Sequence, residues 1–182
     1  MAHGGDDRRM MCASRLLRDQ RGAALLEFAL VGSCFLALLF GSLQIALIFF
    51  AQQCLETAAE ATARQIMTGQ VQKTNMTAAQ FKTAACNNLP SFFKCANLMI
   101  DIRTATAFSA ASTAMPTLTY DGSGNPTNTW SYDAGGAGSI VVMRVMYVWP
   151  VLPGPLKFNL ANQGSNKRML MATAVFKSEP YT

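Results

Sequence analysis

Arg21-Gly22-Ala23-Ala24-Leu25-Leu26-Glu27-Phe28 opens an apolar run that extends to Ala51, and Glu27 is the one charged residue inside it. From Phe28 to Ala51 there are 24 residues without a formal charge, interrupted notably only by Ser33, Ser42 and Gln44. As a helix rising about 1.5 Å per residue, this run spans roughly 36 Å, enough to cross a hydrocarbon core of about 30 Å with some tilt. A buried core helix rarely runs so far without a polar stripe. A cleaved secretory signal would have an apolar stretch of only about 7–15 residues ending in small residues. Here the run is longer and passes through Phe49-Phe50-Ala51 into helix-forming sequence. A transmembrane helix over 23–51 is the expectation.

The flanks orient it. Arg8, Arg9, Arg15, Arg18 and Arg21 precede the span, and the first basic residue after it is Arg64. The positive-inside rule puts residues 1–22 in the cytoplasm as a leader and residues 52–182 outside as an extracytoplasmic domain. The chain is 51% hydrophobic and only 14% charged, which is apolar for a soluble domain and fits one domain plus a membrane segment. Its +5 formal charge is spread thinly beyond the leader, with no basic patch interleaved with aromatics, so nucleic-acid binding is set aside.

Beyond Ala51 the helical pattern continues. Residues 51–67 are rich in strong helix formers without Gly or Pro, Glu60 and Arg64 stand at i,i+4, and Gly69 offers a stop. One helix of about 45 residues, half in lipid and half outside, satisfies these boundaries. A second short helix is expected after Asn75 or Thr77, ending towards Asn87, Asn88 and Pro90. Leu98, Ile100 and Ile102 alternate with Asp101 and Arg103, the pattern of a half-buried strand. Residues 109–138 read as loop, Ile140–Trp149 as the strongest strand closed by Pro150, Pro153 and Pro155, and Arg168–Lys177 as a last strand after a turn at Gly164-Ser-Asn. The fold class is α+β: a small antiparallel β-sheet domain packed on the outer half of a long N-terminal helix. Ala58, Ala59, Thr62 and Ala63 are the small residues expected to let the sheet's one buried face approach that helix.

Catalytic and metal chemistry find little support. The one histidine, His3, lies in the leader, no CxxC pair occurs, and Gly135, Gly136 and Gly138 lack the lysine and strand–helix context of a phosphate loop. Asp101, Asp121, Asp133 and Glu179 read as solvated or turn residues, so no catalytic constellation, cofactor or metal site is expected. Cys12 would be cytoplasmic, Cys34 lies within the span and Cys54 just beyond it. Cys86 and Cys95 enclose a short turn-containing segment, and an oxidising exterior would permit them to bridge as a disulfide, against the alternative of two unpaired thiols.

Glu27 needs a reason. An acidic residue in a membrane helix costs about 2.5–3.5 kcal/mol at the centre and less near the ends, so it usually marks function. Headgroup depth and the positive helix end make it tolerable. Its context, Gly22 followed by Ala23-Ala24-Leu25-Leu26-Glu27-Phe28, resembles the processing site of the type IV pilin superfamily. There a prepilin peptidase cuts after a glycine and the glutamate becomes the fifth mature residue. Alanine first and Glu-Phe fifth and sixth are closest to the tight-adherence (Flp-type) branch. With the arginine leader, the uninterrupted span and the terminal Phe176-Lys177-Ser178-Glu179-Pro180-Tyr181, the chain resembles a TadE-like pseudopilin.

That resemblance implies cleavage between Gly22 and Ala23, with Glu27 and Phe28 as the assembly and processing motif. It implies as partners a prepilin peptidase, other pilins or pseudopilins, and inner-membrane pilus assembly proteins. It also implies residence in a bacterial inner membrane, with incorporation into the pilus left open. Cleavage would free an amino group on Ala23 one helical turn from Glu27, able to neutralise that carboxylate or a neighbour's. Ala29, Ser33, Ala37 and Gly41, spaced by four, form a small-residue stripe for helix packing, although Ala and Gly are also simply common in membrane spans. The competing expectations are an uncleaved bitopic anchor with an extracytoplasmic binding domain and, with least support, a tethered enzyme.

Overall fold

The computed structural model describes residues 22–122, 125–154 and 158–181; the arginine leader and Cys12 lie outside the described residues. Helix α1, Ala23–Met67, is 45 residues long and unbroken. It is long and apolar enough to cross a membrane. Its large apolar side chains from Leu25 to Leu43 are exposed. Those 21 residues, Ala23 to Leu43, make a rod of about 31 Å, close to the thickness of a hydrocarbon core.

Packing begins one residue later, where the Gln44 side-chain amide donates to the Leu152 carbonyl at 2.5 Å. From there Ile48, Ala51, Leu55, Ala58, Ala59, Thr62, Ala63 and Ile66 are buried. Recurring at helical spacing, with the neighbours Ala58–Ala59 and Thr62–Ala63 widening the stripe, they define one helix face, and its alanines let the backbone come close to the sheet. Thr62 fits that face because its hydroxyl donates back to the Ala58 carbonyl. On the opposite side Glu60 and Arg64 form no ion pair among the described residues. Both are exposed, and such a pair is worth only about 0.3–0.5 kcal/mol, too little to immobilise two long side chains.

The helix ends at a glycine. Gly69 is left-handed, with φ +73°, and its N–H donates to the Ile66 carbonyl at 3.0 Å. The C-terminal tail finishes the cap: the Glu179 N–H donates to the Met67 carbonyl at 2.8 Å, and the Ser178 hydroxyl reaches Ile66 at 3.4 Å. The Tyr181 ring lies where a Gly69 Cβ would have to go. Gly69→Ala is therefore expected to destabilise the domain by about 1–3 kcal/mol, combining a left-handed penalty with displacement of that ring. Thermal unfolding of the full chain in detergent, with Gly69→Ala/Tyr181→Ala for comparison, checks this. The double variant should recover the steric part only.

After a single turn α2, Gln70–Lys73, helix α3 spans Ala78–Asn87. Thr77 caps it in a capping box with Gln80, one of the two residues anticipated there. Strands β1, Leu98–Ala105, β2, Ile140–Pro150, and β3, Lys167–Lys177, form an antiparallel sheet in the order β1-β2-β3. α1 lies chiefly on β3 and less on β2. On its face of the sheet Ile102, Met143, Val145, Tyr147, Leu170 and Ala172 meet the helix stripe, with Phe81 and Phe93 filling the gap towards α3.

The second sheet face is also buried, contrary to the expectation of one buried face. Met99, Met146 and Met169 are covered by Leu118, with Tyr120 and Trp130 packed around them. These covering residues come from the segment read as loop. Residues 131–133 of that segment run beside β1, where Ile102 donates its N–H to Ser131 at 2.9 Å and accepts from Asp133 at 3.0 Å. The sheet is thus a filling between a helix layer and a loop layer.

Candidate assembly site at the head of the long helix

The head of α1 is unlike its tail. Gly22 precedes the helix with φ −84° and ψ −13°, values open to any residue, and a Cβ there would meet nothing within 4 Å among the described residues. Nothing in those residues demands glycine at this position, in contrast to Gly69. Glu27 is exposed on the first turns of α1 and makes no hydrogen bond or ion pair among the described residues. Ala23 stands i−4 from it, on the same helix face about 6 Å along the axis. Phe28, next in the motif, is 77% exposed, so neither motif residue serves the monomer's core.

Ala29, Ser33, Ala37 and Gly41 all lie on the bare part of α1. The Ser33 hydroxyl donates to the Leu30 carbonyl at 2.9 Å, which satisfies it within the helix. At 3.6 residues per turn, each step of four advances about 40°, so the row winds about 120° from Ala29 to Gly41. Such a row suits a helix crossing at an angle better than one lying parallel. Gly32, which sequence inspection passed over, shares with Gly41 an open surround that any Cβ could occupy. A glycine inside a helix costs about 1 kcal/mol relative to alanine, and the monomer offers no compensation at either position.

Cys86, at the end of α3, and Cys95 are joined in a disulfide with Cα atoms 5.7 Å apart. It closes the turn that carries Phe92 and Phe93. Cys34 and Cys54 are free.

Three carboxylates outside α1 have structural tasks. Asp121 accepts the Asn125 N–H at 2.8 Å, and Asp133 accepts the Thr104 hydroxyl at 2.7 Å and the Gly135 N–H at 3.1 Å, as turn residues do. Asp101 corrects the reading of it as solvated: it is wholly buried. It stands opposite Arg144 in the β1–β2 register, on the face covered by the loop layer. Arg144 donates to it at 2.5 Å, Arg103 at 3.0 Å and the Ser131 N–H at 2.9 Å. Burial pushes the Asp101 carboxyl up, but the Ser131 amide and the Arg144 and Arg103 guanidinium groups outweigh it and hold it below the usual carboxylate range. Arg144 also donates to the Ala114 carbonyl at 3.1 Å, so this ion pair pins the loop layer to the sheet. Among the described residues no group of three or more His, Cys, Asp or Glu gathers as a metal site.

Residues 22–64 match the family described as TadE-like protein. The match starts at Gly22, takes in Glu27 and all of the bare rod, and ends within the part of α1 that packs on the sheet. No curated protein and no solved structure matches the chain. The matched likeness to TadE-like proteins of tight-adherence pilus systems lies in the long helix.

Proposed function

Taking residues 22–64 as TadE-like, we propose that this protein is a minor pseudopilin of a Flp-type, tight-adherence pilus. A prepilin peptidase cuts it between Gly22 and Ala23, and it then takes part in filament assembly from the inner membrane. The observation that carries the reading is the head of α1: a glycine that no contact among the described residues requires, one turn before the single carboxylate in the bare, apolar part of that helix. In this reading residues 23–51 form the transmembrane helix, its outer end already inside the folded domain, and residues 52–182 stand in the periplasm. Glu27 pairs with the new amino group on Ala23, its own or a neighbouring subunit's, and Gly41 and its small neighbours receive an adjoining helix. The chain is a structural component and a substrate of the peptidase, with other pilins and inner-membrane assembly proteins as partners.

Intact mass of the membrane-extracted chain tests the cut. In a strain with the partner prepilin peptidase, the protein should lose residues 1–22 and begin at Ala23. Full-length chain in that strain would instead make the protein an uncleaved bitopic anchor whose outer domain binds something else.

A further inference from the structure

We infer that the end of the folded domain nearest the bare rod is a second membrane contact, seated in the headgroup layer of the bilayer that α1 crosses. The inference rests on α1 being a transmembrane helix. The bond from Gln44 to the Leu152 carbonyl fixes Leu152, 78% exposed, level with the first residue beyond the exposed rod. Slightly further along, the Phe50 ring lies 5.9 Å from Phe92, and Phe92 meets Trp149 edge-on at 6.0 Å. Phe49, Phe50 and Phe92 are 71%, 55% and 45% exposed, respectively. From Gln44 to Phe50 the helix rises about 9 Å, of the same order as one headgroup layer.

Three features identify lipid as the occupant. The surface is continuous with the bare rod, because Phe49 and Phe50 belong to the same helix, six and seven residues beyond Leu43. Its rings include Trp149, whose indole joins an apolar body to an N–H edge as side chains between hydrocarbon and water do, set among the wholly apolar Phe50 and Phe92. Beside Phe92 stands the exposed Lys94, whose backbone N–H donates to the Tyr147 hydroxyl at 3.1 Å. A cation at that level suits lipid phosphates. The rim is also held in place: the Cys86–Cys95 disulfide closes the Phe92 turn, and Leu152 is tied to α1. The domain would then stand at a set height and tilt on the membrane and not swing on its helix.

The test uses the full chain in phosphatidylcholine vesicles doped with nitroxide-labelled lipids. The chain has two tryptophans, so the difference between wild type and Trp149→Phe isolates Trp149. Trp149 emission should fall about twofold with a label near the headgroup and less with one at the acyl-chain end. Leu152→Glu, at an exposed position, should weaken that shallow quenching. Leu36→Trp added to Trp149→Phe reports the span separately, through quenching by the deep label. Deep quenching of that reporter without shallow quenching of Trp149 would overturn the membrane seat and leave the span intact. No quenching of either tryptophan would overturn both.

Discussion

Asp101→Ala is expected to be the most damaging single substitution in the domain, costing about 3–5 kcal/mol of folding stability. It leaves the Arg144 guanidinium, 11% exposed, without its carboxylate, and strips the Ser131 N–H of its acceptor. Arg144 Nε and the Thr173 hydroxyl opposite it already lack hydrogen-bond partners among the described residues, and a neutral hydroxyl cannot replace the carboxylate charge that balances Arg144. Denaturant unfolding of the full chain in detergent measures the loss. Asp101→Leu/Arg144→Leu should lose much less than Asp101→Ala, because replacing a buried pair by apolar groups avoids the orphaned charge. Equal losses in the two proteins would show that the ion pair is not what holds the loop layer.

Acid should act on the same pair. Because the folded-state value for Asp101 lies below its ordinary carboxylate value, its contribution is complete above about pH 4. That contribution is lost as pH falls through the folded-state value. Wild type should therefore lose stability below about pH 4 more steeply than Asp101→Leu/Arg144→Leu.

Glu27→Ala should abolish surface filaments while leaving removal of residues 1–22 intact. The substitution takes away the carboxylate that the Ala23 amine would neutralise, but leaves Gly22 and Ala23 for the peptidase. A charge in hydrocarbon without a partner costs about 2.5–3.5 kcal/mol at a helix centre, which is a difference of roughly a hundredfold or more between paired and unpaired arrangements. Glu27→Gln, similar in size but uncharged, should fail in the same way. Electron microscopy of the cells together with intact mass reads both steps. Normal piliation in either variant would remove the charge of Glu27 from the mechanism.

The elements themselves were legible because they are set locally. The unbroken run of helix formers from Ala51 to Met67, the glycine at 69 and the Thr77–Gln80 cap all act within a turn or two, and the helix observed ends where they place it. Strands β1 to β3 follow from β-branched and apolar runs bounded by proline and glycine. The motif from Gly22 to Phe28 is likewise a linear pattern, and it falls within the residues that match the TadE-like family.

What needed the tertiary structure was every contact made across a long separation. Alternation in Leu98–Arg103 correctly places Leu98 and Ile102 towards the helix, but it also assigns Asp101 to solvent. Only the β1–β2 register brings Arg144 opposite it, 43 residues away, and only the loop layer shuts water out. That layer was hard to foresee: Leu118 and Tyr120, and Trp130 and Tyr132, alternate with Thr and Ser for too few residues to read as strands. Likewise the glycine at 69 marks a helix end by itself, but the tail from Ser178 to Tyr181 closing over it is a long-range event. The sequence by itself determined a membrane-length helix with an acidic, glycine-led head and the strands of a sheet. The tertiary structure alone decided where that helix enters the domain, at Gln44, and that both faces of the sheet are dry. The reason is physical: backbone propensity and hydropathy act between neighbours, whereas burial depends on which distant segment arrives to exclude water.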